Sequence, residues 1–124
     1  MNDNSHQSFT DLEVWKKGRE LKNEIFQLVK LFPPEEKYRL ADQLIRSSRS
    51  VTANVSEGHG RFSFKDQLHF CIQSRGSLSE TYNHLIDAMD CSYITAEQLD
   101  YYKTKIDGVG KLLNGYIVYL RKNL

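Results

Sequence analysis

Several features that define other protein classes are scarce in this sequence. It contains only two cysteines and two prolines, and no run approaches the ~20 apolar residues of a membrane-spanning helix. The polar start, residues 1–8, lacks the basic and apolar segments of a signal peptide. A formal net charge of +1 gives no global attraction to nucleic acid or anionic membranes. These absences favour a soluble, single-domain protein that has no membrane partner.

The two cysteines carry a second expectation. Cys71 and Cys91 form no CxxC motif and both lie near apolar positions of helical patterns. Such cysteines are typical of buried thiols in a reducing compartment. We therefore expect two buried thiols and a cytoplasmic protein.

Apolar residues recur at three- and four-residue spacing along most of the chain, and no segment alternates as a strand does. Thr10-Asp-Leu-Glu13 has the pattern of a capping box, as does Thr95-Ala-Glu-Gln98, and Ser63 opens a similar start. Pro33-Pro34 separates the first two patterns. We predict four helices, over residues 11–32, 34–57, 64–90 and 96–121.

Short connections between helices of similar length are typical of antiparallel neighbours. The sequence therefore predicts an all-α fold, an antiparallel up-down-up-down four-helix bundle. It occupies residues 9–124 as a single domain and follows a disordered tail at residues 1–8. Gly58 is expected to end the second helix as a left-handed cap.

Glycines inside the fourth predicted helix need a separate explanation. Gly108, Gly110 and Gly115 each weaken a helix by ~1 kcal/mol relative to alanine. We expect them where a neighbouring backbone packs closely.

Motifs for catalysis or cofactor binding are weak. The segment 58–63 approaches GxGxxG, but it follows a helix, which favours a cap and a turn. Asp66-x-x-His69 has the spacing of bundle di-metal sites, which need a second copy that the chain lacks. The sequence leaves one alternative open, an anion bound at the start of the third helix between Arg61 and Lys65. We predict a protein that is not an enzyme and has no metal or cofactor.

A polar stripe lies beside the apolar seam of the second and third predicted helices. If its two halves face each other, carboxylates meet guanidinium groups beside the core, where charges must be paired. Two interpretations stay open: an ion-pair network that fixes helix register or a subunit contact, and a polar groove for a ligand or RNA phosphate. The residues of this stripe are Arg46, Asn54, Glu57, Arg61, Ser77 and Glu80.

Basic residues are also locally enriched. Residues 37–65 hold six basic against two acidic side chains, and residues 101–124 hold five against one, with tyrosines among them. Such faces can bind nucleic acid by phosphate contact and stacking, although a solvated face or a protein interface is the alternative. The candidate nucleic-acid contacts are Arg39, Arg49, Lys65, Lys103, Lys105 and Lys111.

Several segments together resemble a known family. They are Phe9-x-x-Leu-x-Val-Trp15, Gln43-Leu-Ile-Arg-Ser-Ser48, Asn54-Val-Ser-Glu-Gly-x-Gly-Arg61 and Gly76-Ser-x-x-Glu80. With them the chain resembles the bacterial four-helix-bundle family of 23S rRNA intervening-sequence proteins, sometimes labelled S23 ribosomal proteins. The chain carries serine at four positions where that family usually has alanine, which makes its seams more polar: Ser47, Ser48, Ser56 and Ser74.

The resemblance implies a ring-like homopentamer without an agreed biochemical activity. The family is also similar to the accessory variability protein of diversity-generating retroelements, a pentameric barrel that associates with nucleic acid and a reverse transcriptase. We therefore expect a non-enzymatic, homo-oligomeric scaffold that partners with itself and associates with RNA. The alternative is a nucleic-acid-binding protein that acts through basic faces on the second and fourth helices.

Overall fold

The computed structural model describes residues 8–124, which contain four α-helices and no strand. The predicted all-α fold with four helices is confirmed. The tail predicted over residues 1–8 lies outside the described residues, apart from Ser8. The helices are α1 (Glu13–Val29), α2 (Leu40–His59), α3 (Phe64–Asp90) and α4 (Ala96–Lys122), with 3-10 turns at Phe9–Asp11 and Pro34–Glu36.

Each helix packs on two neighbours: α1 and α3 both contact α2 and α4. Along α2 and α3 the contacts run in opposite order, because Ser47 meets Thr81 while Val51 meets Ser74. This order places α2 antiparallel to α3. The apolar stripes of all four helices meet in one core, whose largest fully buried side chains include Leu21, Ile25, Leu44, Leu85, Leu113, Ile117 and Leu120. No helix in the described range is both long and apolar enough to cross a membrane.

The starts of α3 and α4 follow the predicted caps. Ser63 Oγ accepts a hydrogen bond from the Asp66 backbone N–H at 3.1 Å. Thr95 and Gln98 form a complete capping box, which satisfies two backbone N–H groups that have no helical partner.

The capping box predicted at Thr10 is wrong. Helix α1 begins at Glu13, and its N-cap Leu12 makes no side-chain cap hydrogen bond. The Ser8 hydroxyl instead accepts from the Thr10 backbone N–H at 3.1 Å, which starts the 3-10 turn. This turn takes up the segment that the capping box would have used.

The connection between α1 and α2 is tied to the connection between α3 and α4 through Glu36. Its carboxylate accepts from the Leu40 backbone N–H at 3.3 Å and from Tyr93 Oη at 2.6 Å. The Tyr93 hydrogen bond, followed by that from Leu40, lowers the pKa of Glu36. Glu36 therefore caps the start of α2, which begins at Leu40 and not at residue 34 as predicted.

The left-handed cap predicted at Gly58 is also wrong. Helix α2 continues to His59, and its C-cap Gly60 has a φ of −78°. Gly58 is buried, and a Cβ atom there would lie 3.0 Å from Phe70 Cβ and 3.1 Å from the Gln67 carbonyl oxygen. This glycine is needed for the close approach of α2 and α3.

The two cysteines differ in their surroundings. Cys71 is buried, and burial raises the pKa of its thiol to about 11. Cys91 is exposed, so the expectation of two buried thiols is wrong for Cys91. Helix α3 ends at Asp90, and Cys91 therefore lies beyond the apolar stripe of that helix.

Candidate functional site

Small hydroxyl side chains line the contact between α2 and α3. Ser74 Oγ donates to the Val51 carbonyl oxygen at 2.7 Å, and a hydrogen bond of 2.9 Å joins Thr81 Oγ1 to Ser47 Oγ. Each of these hydroxyl groups is buried and therefore needs its partner. We call Ser47, Ser50, Ser74, Ser77 and Thr81 the hydroxyl seam.

The charged members of the predicted polar stripe do not meet across the helices. Arg46 Nη1 lies 3.9 Å from Asp42 Oδ2, and Arg61 Nη2 lies 2.9 Å from Glu57 Oε2. Both pairs join residues one turn apart on α2 or just beyond its end, and both are largely exposed. Small seam residues draw α2 and α3 together, so the long charged side chains stay outside the contact. The described residues thus contain none of the cross-helix ion pairs that the pattern predicted.

Two members of the stripe do come together, through Ser50. Asn54 Nδ2 donates to the Ser50 carbonyl oxygen at 2.9 Å and to its Oγ at 3.0 Å. A hydrogen bond of 2.9 Å joins Ser77 Oγ to the same Ser50 Oγ. The structure therefore links Asn54 on α2 to Ser77 on α3 by hydroxyl and amide groups, without a charge.

Glu80 lies apart from these residues. Its Oε2 is 3.1 Å from His84 Nε2, one turn further along α3. His84 is buried, and its Nδ1 has no hydrogen-bond partner among the described residues. In the range 8–124, no group of three or more histidine, cysteine or acidic side chains is placed to hold a metal ion.

One candidate nucleic-acid contact, Lys105, forms an ion pair between two helices of the bundle. Lys105 Nζ lies 2.8 Å from Glu24 Oε2, and Tyr101 Oη donates to Glu24 Oε1 at 2.5 Å. Burial raises the pKa of Glu24, but the hydrogen bonds from Lys105 and Tyr101 outweigh it and leave the pKa below its ordinary value. Lys105 therefore ties α4 to α1.

Two further candidates lie in a groove of about 550 Å³ between α3 and α4. Lys103 and Lys111 line it together with Arg75 from α3. The Lys103 ammonium is 2.9 Å from Asp107, and Arg75 Nη1 donates to Asn114 Oδ1 at 3.3 Å. We call this the α3–α4 groove.

The remaining candidates lie elsewhere on the surface. Arg39 and Lys65 are exposed at the starts of α2 and α3. The Arg49 guanidinium lies 5.5 Å from the ring centre of Phe26 on α1. None of these three lines the α3–α4 groove.

The outward side of α4 carries exposed apolar and glycine residues at four- and three-residue spacing. Leu112 and Tyr119 are 37% and 53% exposed. Among residues 8–124, a Cβ atom added at Gly108 or Gly115 would have no neighbour within 4 Å, whereas one at Gly110 would meet Leu78 at 3.5 Å. The close packing expected at Gly108 and Gly115 therefore does not occur within the described part of the chain. We call Gly108, Leu112, Gly115 and Tyr119 the outer α4 face.

The fold and these surfaces define a helical-bundle protein. Residues 10–115 match the model of the 23S rRNA-intervening sequence protein family, and the chain belongs to that family.

A solved structure extends the comparison. The chain is similar, at 28% identity and with a TM-score of 0.77, to a protein of unknown function from the S23 ribosomal protein family of Bacteroides thetaiotaomicron VPI-5482. That comparison covers 84% of this chain and 94% of the other chain. No protein of curated function matches the chain.

Proposed function

We propose that the chain acts as a non-enzymatic, homo-oligomeric scaffold in the cytoplasm, assembled as a pentamer and associated with RNA. The outer α4 face is the observation that carries the oligomer. The subunit number is the one that the family resemblance implies.

The outer α4 face includes two glycines that have open space above them in the described structure. Gly108 and Gly115 each weaken α4 by ~1 kcal/mol relative to alanine, yet no other part of the structure between residues 8 and 124 packs closely against either glycine. A helix of another subunit packing at 8–10 Å would use the space above these glycines. The same contact would bury Leu112 and Tyr119.

A scaffold role also agrees with how the polar groups are distributed. An active site needs titratable groups that converge on one space. Here Arg46 pairs with Asp42 and Arg61 pairs with Glu57, in each case four residues away in the sequence. These charged groups therefore form separate ion pairs on the surface and do not converge on one space.

Gly115→Leu tests the assembly. We expect wild-type protein to have the mass of about five chains by light scattering, and Gly115→Leu to have a clearly smaller mass with unchanged helical circular dichroism. Gly76→Leu is the matched control, since Gly76 is also an exposed helical glycine where an added Cβ atom would meet no other described residue within 4 Å. A wild-type mass of one chain, or full assembly of Gly115→Leu, contradicts the proposal.

A second candidate function is nucleic-acid binding through the basic faces on helices 2 and 4. The α3–α4 groove favours the part of this candidate that lies on helix 4, because Lys103 and Lys111 of α4 line one space with Arg75 of α3. Phosphate groups bound there would displace counterions, which makes affinity depend steeply on salt.

The double variant Arg75→Gln/Lys111→Gln tests this candidate in a gel-shift titration with a structured rRNA fragment. We expect weaker binding and a salt slope that falls by about one for each phosphate group that is no longer bound. Lys16→Gln/Lys17→Gln removes the same charge from α1, outside this groove, and is expected to bind as wild type. If wild-type protein does not bind the rRNA fragment at low salt, RNA is excluded from the groove. The same conclusion follows if the groove variant and the control variant show equal salt slopes.

A further inference from the structure

A second groove lies where α1 ends and α2 begins. It has a volume of about 330 Å³, and most of its lining is apolar, including Phe26, Phe32, Pro33 and Ile45. Lys30 and Lys37 also line it. We call it the Pro33 groove. A cavity of this size is at the small end of ligand-binding pockets and has room for one or two bulky side chains.

Two cations line this apolar floor, and a third, Arg49, lies beside the Phe26 ring that forms part of it. Lys30 Nζ lies 4.7 Å and Arg49 Cζ lies 5.5 Å from the ring centre of Phe26. Lys37 Nζ lies 5.4 Å from the Tyr38 ring centre. Within residues 8–124, none of these three cations forms an ion pair with a carboxylate.

The carboxylates of the neighbouring sequence do not cancel this charge. Residues 26–49 contain five basic side chains and three acidic ones. Glu36 keeps its negative charge while it accepts hydrogen bonds from Tyr93 and Leu40, and Asp42 lies beside Arg46, so the basic side chains still exceed the acidic ones by two. The Pro33 groove therefore combines an apolar floor with a positive rim.

We propose that the Pro33 groove binds an acidic peptide segment of another protein that carries one or two bulky apolar side chains. The apolar side chains of the peptide pack in the groove against Phe32, Pro33 and Ile45. The flanking carboxylates pair with Lys30, Lys37 and Arg49. Opposite charge on the two surfaces accelerates their encounter and excludes basic segments.

The chemistry of the floor favours a peptide over RNA. Bases are recognised by stacking on open aromatic faces and by hydrogen bonds to their edges. Phe26 already has Lys30 and Arg49 beside its ring, and the floor side chains are hydrocarbon. RNA would use only the rim and leave the apolar floor in contact with water. The outer α4 face of a second copy carries no carboxylate to pair with the rim.

Fluorescence anisotropy with a labelled synthetic peptide tests the proposal. The probe has a Leu-Phe-Leu centre flanked on both sides by glutamates. We expect saturable binding below about 1 mM. A peptide with a serine centre and a peptide with lysine flanks should each bind at least about tenfold more weakly.

The double variant Lys30→Glu/Lys37→Glu should weaken binding of the acidic peptide by at least about tenfold. Lys16→Glu/Lys122→Glu is the matched control, because it changes the net charge equally at exposed positions outside the groove. We expect less than about a twofold change for the control. Circular dichroism confirms that both variants keep their helices.

Each contrary result overturns the inference. No binding of the acidic peptide, or equal weakening in the groove and control variants, excludes a specific peptide groove. Binding of an oligouridine probe that depends on Lys30 and Lys37, without peptide binding, assigns the groove to RNA. A change of mass for the groove variant by light scattering, without peptide binding, assigns it to a second copy of the chain.

Discussion

Gly58→Leu is expected to lower the free energy of unfolding by about 3 kcal/mol. A first side-chain carbon at Gly58 already meets Phe70 Cβ at 3.0 Å and the Gln67 carbonyl oxygen at 3.1 Å. Because one of these neighbours is backbone, α3 must move away from α2 to admit the rest of the leucine. Urea unfolding followed by circular dichroism measures the decrease.

Gly76→Leu provides the comparison for this prediction. Gly76 is exposed in the middle of α3, and a Cβ atom added there would have no neighbour within 4 Å in the described structure. Leucine is the better helix former by roughly 0.8 kcal/mol, so this variant should be slightly more stable than wild type. If Gly58→Leu unfolds at the same urea concentration as wild type, the close approach of α2 and α3 at Gly58 is not required.

Leu113→Ala is expected to lower the free energy of unfolding by about 3 kcal/mol. Leu113 is fully buried in the core on the inner side of α4. Its truncation removes apolar packing and leaves a cavity that the surrounding helices fill only in part. Urea unfolding at fixed protein concentration measures the change.

Leu112→Ala changes the neighbouring residue, which belongs to the outer α4 face. Leu112 is 37% exposed, so we expect the free energy of unfolding to fall by less than about 1 kcal/mol. If the outer α4 face joins subunits, the same variant should have a smaller mass in light scattering. A large decrease in stability for Leu112 with none for Leu113 would reverse the assigned faces of α4.

Much of the fold follows from local sequence signals. The span predicted for the third helix, 64–90, is the span of α3, and the fourth differs by one residue at its end. Both helices start at a hydroxyl cap, Ser63 and Thr95, and both keep a long apolar stripe. At Thr10 the same kind of signal failed, because the hydroxyl of Ser8 organised a competing 3-10 turn.

The candidate site was harder to predict because it depends on how two helices are rotated about their axes. Spacing along α2 and α3 put Arg46, Glu57 and Glu80 on polar stripes, but spacing does not say whether the stripes face each other. The informative signal was the serine content of the seam, at Ser47 and Ser74. From the sequence we interpreted these serines only as making the seams more polar, whereas their hydroxyl groups form the contact between the helices.

The hydroxyl seam has a consequence for the turn that joins α2 to α3. Because hydrogen bonds between Ser47 and Thr81, and from Ser74 to Val51, align the two helices, their alignment does not depend on the length of that turn. Lengthening a flexible loop raises its closure entropy only slowly, and Phe62 in this turn is fully exposed. The turn is therefore a place where a peptide tag or a fluorescent domain can be inserted while the helical hairpin keeps its register.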